Sequence, residues 1–108
     1  MTLDEFDRTV SEIVERSSIC DVPMIVVSTE ETIRIRIDLF TGGFVEAYHN
    51  QRTNTTSYVL IENRRRLFAV DNTGGWHCHP FHDPTLHEPL NDEMSFADFL
   101  AEVEQAVG

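Results

Sequence analysis

From Thr32 to Phe40 the chain alternates strictly. Ile33, Ile35, Ile37 and Leu39 fall on one side, and Arg34, Arg36 and Asp38 on the other. Such a period of two belongs to an extended strand with one buried face and one wet face. The pattern then repeats between turn signals. Thr41-Gly42-Gly43 is a turn, Phe44 to His49 a strand, and Asn50 to Asn54 a polar loop. Thr56 to Ile61 is a further strand, Glu62-Asn63-Arg64 a tight connection, and Arg66 to Val70 the last strand. Before all of these, Val22 to Thr29 reads as a largely buried strand, with Pro23 at its start, where a missing N–H is tolerated. Strands joined by such short connections pair as an antiparallel meander.

At both ends the period changes to that of a helix. Leu3, Phe6, Val10, Ile13 and Val14 make one apolar stripe. Thr2 and Glu5 have the spacing of a capping box, and the helix should end near Arg16-Ser17-Ser18. Phe96, Phe99, Leu100, Val103 and Val107 make the second stripe, with Ser95 as N-cap and Asp98 in the position that reaches back to it. Two amphipathic helices and a sheet with one apolar face bury each other most economically in two layers. The expected fold is therefore α+β: a five-stranded antiparallel meander with the N- and C-terminal helices packed on one face, a single domain over residues 1–108. Arg34, Arg36 and their neighbours would lie on the open face.

Charge restricts the function classes. The chain has 19 acidic residues against 8 basic ones, all arginine, for a net charge of −11. An acidic surface without lysine suits a salt-rich cytoplasm, where self-repulsion is screened, or a small protein with a basic partner. Under the first reading, acidity counts less against nucleic-acid binding. No apolar run is long enough for a membrane span, so no membrane partner is expected. The acidic start Met1 to Phe6 does not resemble a signal peptide, and Cys20 and Cys78 read as free thiols, so a cytoplasmic location is expected.

Four of the five histidines, His77, His79, His82 and His87, fall in one Gly- and Pro-broken segment between the last strand and the last helix. A connection of that length inside a compact domain is usually functional or disordered. Histidine exchanges a proton or binds a metal near neutral pH. Two chemistries follow. His77, His79 and His82, with His87 as a further candidate, offer neutral imidazoles to a metal such as Zn, although the His-x-His-x-x-His spacing is not a specific metal signature. Alternatively, His77, His79 and His82 serve acid–base catalysis with no metal, with Asp71 orienting an imidazole from its strand end. A structural role, with histidines capping loop carbonyls, competes with both. Arg34, Arg36 and Arg66, with Tyr58 and Asn72, could hold an RNA backbone beside that loop. The plainer alternative pairs those arginines with Glu46, Asp38 or Glu62 across strands.

Tyr58-Val59-Leu60, Leu67-Phe68-Ala69-Val70-Asp71-Asn72 and Trp76-His77-x-His79-Pro80 with His82, followed by an amphipathic helix, resemble the TumE-like family of small prokaryotic proteins. The similarity covers residues 56 to 107. It implies a toxin of a toxin–antitoxin module, paired with a helix-turn-helix antitoxin protein; many small α+β toxins are ribonucleases, which makes RNA the expected target. Asp71, Asn72, His77, His79 and His82 are the polar positions that match. The Thr73-Gly74-Gly75-Trp76 insert and Cys78 depart from the family pattern. Beside the ribonuclease toxin stand two rivals: a metal-binding module with no reaction of its own, and an interaction domain whose open sheet face docks a partner. An exposed edge strand would allow a homodimer.

Overall fold

The computed structural model describes residues 1–107. Helix α1 (Leu3–Glu15) starts at the expected capping box. The Thr2 hydroxyl accepts from the Glu5 amide at 3.1 Å, and the Thr2 amide donates to the Glu5 carboxylate at 3.1 Å. Seven strands follow: β1 (Met24–Ser28), β2 (Thr32–Asp38), β3 (Phe44–Asn50), β4 (Thr55–Glu62), β5 (Arg65–Asp71), β6 (His77–His79) and β7 (Glu88–Pro89). They form one open antiparallel sheet in which each strand pairs with its neighbour in sequence. Helix α2 (Phe96–Val107) closes the chain, with the Ser95 hydroxyl accepting from the Asp98 amide.

The fold is the α+β meander expected, but with seven strands rather than five. Both additional strands come from the histidine segment. Asn72 to Gly75 forms a tight turn, with the Gly75 amide donating to the Asn72 carbonyl at 3.2 Å. Gly74 and Gly75 hold φ of +70° and +111°, a region glycine enters without a side-chain clash. The turn folds His77–His79 back along β5. A second reversal, in which the amide and hydroxyl of Thr85 donate to the Asp83 carboxylate, returns the chain to β7.

Helix α1 packs on β2 and β3, α2 packs on β4, and the two helices touch. Ile33, Ile35, Ile37, Val45, Ala47, Tyr58, Leu60, Phe68 and Val70 meet Phe6, Val10, Val14, Phe96, Phe99, Leu100 and Val103 in one core. Phe99 is its hub, stacked on Phe68 with ring centroids 5.1 Å apart and tilted against Tyr58 at 5.5 Å. At the β2–β3 turn, a Cβ on Gly43 would lie 2.5 Å from the Ile61 carbonyl, so only glycine fits. The one clear departure in burial is β1. It reads from sequence as a buried strand, yet all five residues are exposed. No helix of the described residues is long and apolar enough to cross a membrane.

Candidate functional site

Register decides which side chains share the open face. Arg34, Tyr48, Ser57, Asp71 and His77 pair in succession across β2 to β6, so they lie in one transverse row. Glu46, Val59, Ala69 and His79 follow Arg36 in the next row. The histidines therefore sit at one edge of the open face. His87, immediately before β7, returns over them. Ring centroids are 4.2 Å apart for His79 and His87, 5.3 Å for His77 and His87, and 5.6 Å for His77 and His79. One ring nitrogen from each of the three lies within 4.8 Å of those from the other two.

Hydrogen bonds restrict the protonation of two rings. The Gly75 carbonyl lies 3.1 Å from His77 Nδ1 and can only accept, so Nδ1 carries a proton. Nε2 of the same ring lies 3.3 Å from an Asp71 carboxylate oxygen. A bare lone pair facing a carboxylate is unfavourable. A cation beside Nε2 would be shared by the ring and the carboxylate. His79 is almost fully buried despite its place on the open face. Burial, followed by the charge of Arg66 and by His87 and His77, holds its pKa below the usual histidine value, which favours the neutral ring. Arg66 donates to the Pro84 carbonyl at 3.0 Å, and its guanidinium lies 3.3 Å from His79 Nδ1. The same carbonyl offers His79 an acceptor. A bulge at Leu60 and Ile61 opposes Arg66 to Ile61, which puts Arg66 on the histidine side of the sheet.

The site therefore gathers His77, His79, Asp71 and Arg66 from the residues singled out in the sequence, and adds His87 in place of His82. His82 is exposed and lies 3.7 Å from a Glu88 carboxylate oxygen, outside the three-ring group. The reversal at Asp83–Thr85 explains the exchange: it carries position 87, not 82, back across β6. Cys78 alternates onto the core side, where burial raises its thiol pKa, so it offers the group no thiolate.

The remaining expected contacts lie elsewhere. Tyr58 pairs with Ala47 and Val70 on the helix-bearing face, is buried, and stacks with Phe6. It is a core residue rather than part of an RNA surface, and burial pushes its phenol pKa far up. Asn72 is occupied structurally: its side chain accepts from the Thr56 amide and donates to the Asn54 carbonyl. Arg34 bonds Glu46 at 3.1 Å and lies over Tyr48, while Arg36 bonds Asp38 at 2.9 Å and lies over Phe44. The plainer pairing across strands holds for Arg34 with Glu46, whereas Arg36 pairs with Asp38 along its own strand. Four strand spacings, about 19 Å, separate Arg34 from His77. The chain matches no family model, no curated protein and no solved structure, so its function is read from its own side chains.

Proposed function

We propose that this is a metal-binding protein in which His77, His79 and His87 hold a divalent transition metal of the zinc class. The observation that carries the reading is the convergence of three imidazoles, with the Asp71 carboxylate set against the ring nitrogen of His77 that has no carbonyl partner. Three histidines and one open position form a known zinc donor set. The Gly75 carbonyl on Nδ1 is the usual supporting contact of a ring that ligates through Nε2, and the Asp71 carboxylate adds negative charge beside the ligating nitrogen. The depressed pKa of His79 favours the neutral form a ligand requires, and the exposed His87 can close the last distance by a rotamer change.

The test is a zinc titration of protein purified without a histidine tag, read by calorimetry and melting temperature. One equivalent should bind and raise the melting temperature. His87→Ala should weaken binding at least 100-fold, whereas His82→Ala should leave it unchanged. Equal losses in the two variants, or no binding by the wild-type chain, would reject the site.

A second reading, cleavage of RNA by a toxin, draws on one observation. His77 with Asp71, His79, and the guanidinium of Arg66 form an acid–base pair beside a cation. In this reading one imidazole takes the ribose 2′-OH proton and the other protonates the leaving oxygen. Cleavage that survives chelation and falls in both His77→Ala and His79→Ala would favour it over the metal centre.

A further inference from the structure

We propose that β1 is the self-association edge of the molecule, pairing antiparallel with β1 of a second copy about a twofold axis. Of the eight large apolar side chains exposed among the described residues, five lie between Val22 and Val27. The exposure is therefore a patch rather than a scatter. Its chemistry is that of an interior strand. Ile25 pairs with Ile35 and points to the helix-bearing side. Met24 and Val27 pair with Arg36 and Arg34 and point to the open side. Val26 sits at a bulge between them. A strand apolar on both faces is the pattern of one covered on both sides and flanked by neighbours. Here Ile25 is 53% exposed, and β1 has a neighbour on one side only.

Three features select a second copy as the occupant. First, the segment from Val22 to Thr29 carries no charge, in a chain of net charge −11. Two copies repel over most of their surfaces and can approach closely along this strand. Second, the opposite edge of the sheet is closed to pairing. β7 has two residues, Glu88 and Pro89, one charged and one without an N–H. Head-to-tail stacking of β1 on β7 is therefore blocked, and the edge that remains is complementary to itself in antiparallel register, which gives a closed pair. Third, a cleft of about 340 Å³ adjoins the strand on the helix side, with Val14, Cys20, Val22 and Pro23 as its apolar lining beside the carboxylates of Glu15 and Asp21. Its apolar part continues the surface of β1 towards α1 and gives the partner strand's side chains somewhere to pack.

Sedimentation of the purified chain in concentrated salt, from micromolar to hundreds of micromolar, tests this. The expected species is a dimer that tightens with salt, because screening removes the acidic repulsion. Val26→Lys and Ile25→Lys should each raise the dimer dissociation constant at least ten-fold. Leu86→Lys, at an exposed apolar side chain in the loop at the opposite edge of the sheet, should not. Amide exchange of the unmodified chain provides a second readout that needs no variant: protection at residues 24–28 should rise with protein concentration. A monomer across the whole range, a dimer indifferent to both lysine variants, open-ended polymers, or exchange at β1 independent of concentration would each overturn the proposal.

Discussion

The two edges of the sheet make opposite uses of the same problem. At the β6–β7 edge, very short strands, a proline and a loop folded back on itself close the ladder, and the side chains left there are three imidazoles with a carboxylate behind them. At the β1 edge, five exposed residues without a charge leave the ladder open. An edge strand must be blocked or paired. One end of this molecule is blocked by its own chain, and the blocking loop positions the candidate metal ligands. The other end carries nothing of its own to block it. If that division is correct, changes at one edge leave the property of the other untouched, and only the core between them couples the two.

The largest expected effect tests that coupling. Phe99 is fully buried beneath β4 and β5 and touches Phe68, Tyr58 and Phe96. Phe99→Ala removes a ring that the surrounding helix and sheet cannot replace. It should cost about 3–5 kcal/mol of stability, measured by urea denaturation. Zinc binding and self-association should then disappear together over the same urea range. Loss of one well before the other would mean that the two edges belong to separately unfolding units.

Asp71→Asn sharpens the contrast from the histidine side. The carboxylate belongs to β5, two strands in from the edge, and lies 3.3 Å from His77 Nε2. The carboxylate attracts a cation held at that nitrogen, so its loss should weaken zinc binding by about 10-fold or more, on the scale of a lost supporting contact. The same substitution should not change the dimer dissociation constant, because β1 lies at the far end of the sheet. Calorimetric zinc titration beside sedimentation of the same sample checks both statements. A substitution that weakened dimer and metal equally would break the division.

The parts of the fold that were legible in sequence are those with a long, regular period. Strands β2 to β4 span seven or eight residues each and alternate cleanly, β5 carries the apolar run Leu67 to Val70 between turn signals, and α1 announces itself by its capping box. Strands β6 and β7 have three and two residues, too few to establish any period. The available signal was Gly74-Gly75 followed by His77-x-His79, a turn and then one step of alternation. His87 was the residue least expected in the site, because spacing along the chain favoured His82. The Asp83-Pro84-Thr85 reversal that favours position 87 is visible in sequence, but its direction depends on how the loop packs. Tyr58 was misplaced because alternation gives two faces without saying which residues of separate strands share one; the pairing of Tyr58 with Val70 decides it. The uncharged run at β1 was read as buried on composition, and the monomer does not bury it.

The smallest expected effect concerns the arginines between the two edges. Arg34 is the cross-strand neighbour of Val27 on one side and of Tyr48 on the other. Its ion pair with Glu46 is partly exposed, with side-chain accessibilities of 40% and 21%. Exposed pairs of this kind contribute about 0.2–1 kcal/mol, because water and salt screen the attraction and two side chains lose freedom. Arg34→Ala should therefore lower stability by about 1 kcal/mol or less. A double-mutant cycle with Glu46→Ala should give a coupling inside that range, shrinking as salt is added. Zinc affinity should stay the same, since His77 lies four strands away in the same row. A coupling well above that range, or a change in zinc affinity, would mean that the Arg34–Tyr48–Ser57–Asp71–His77 row acts as one connected surface, and the separation of the two edges would fail there.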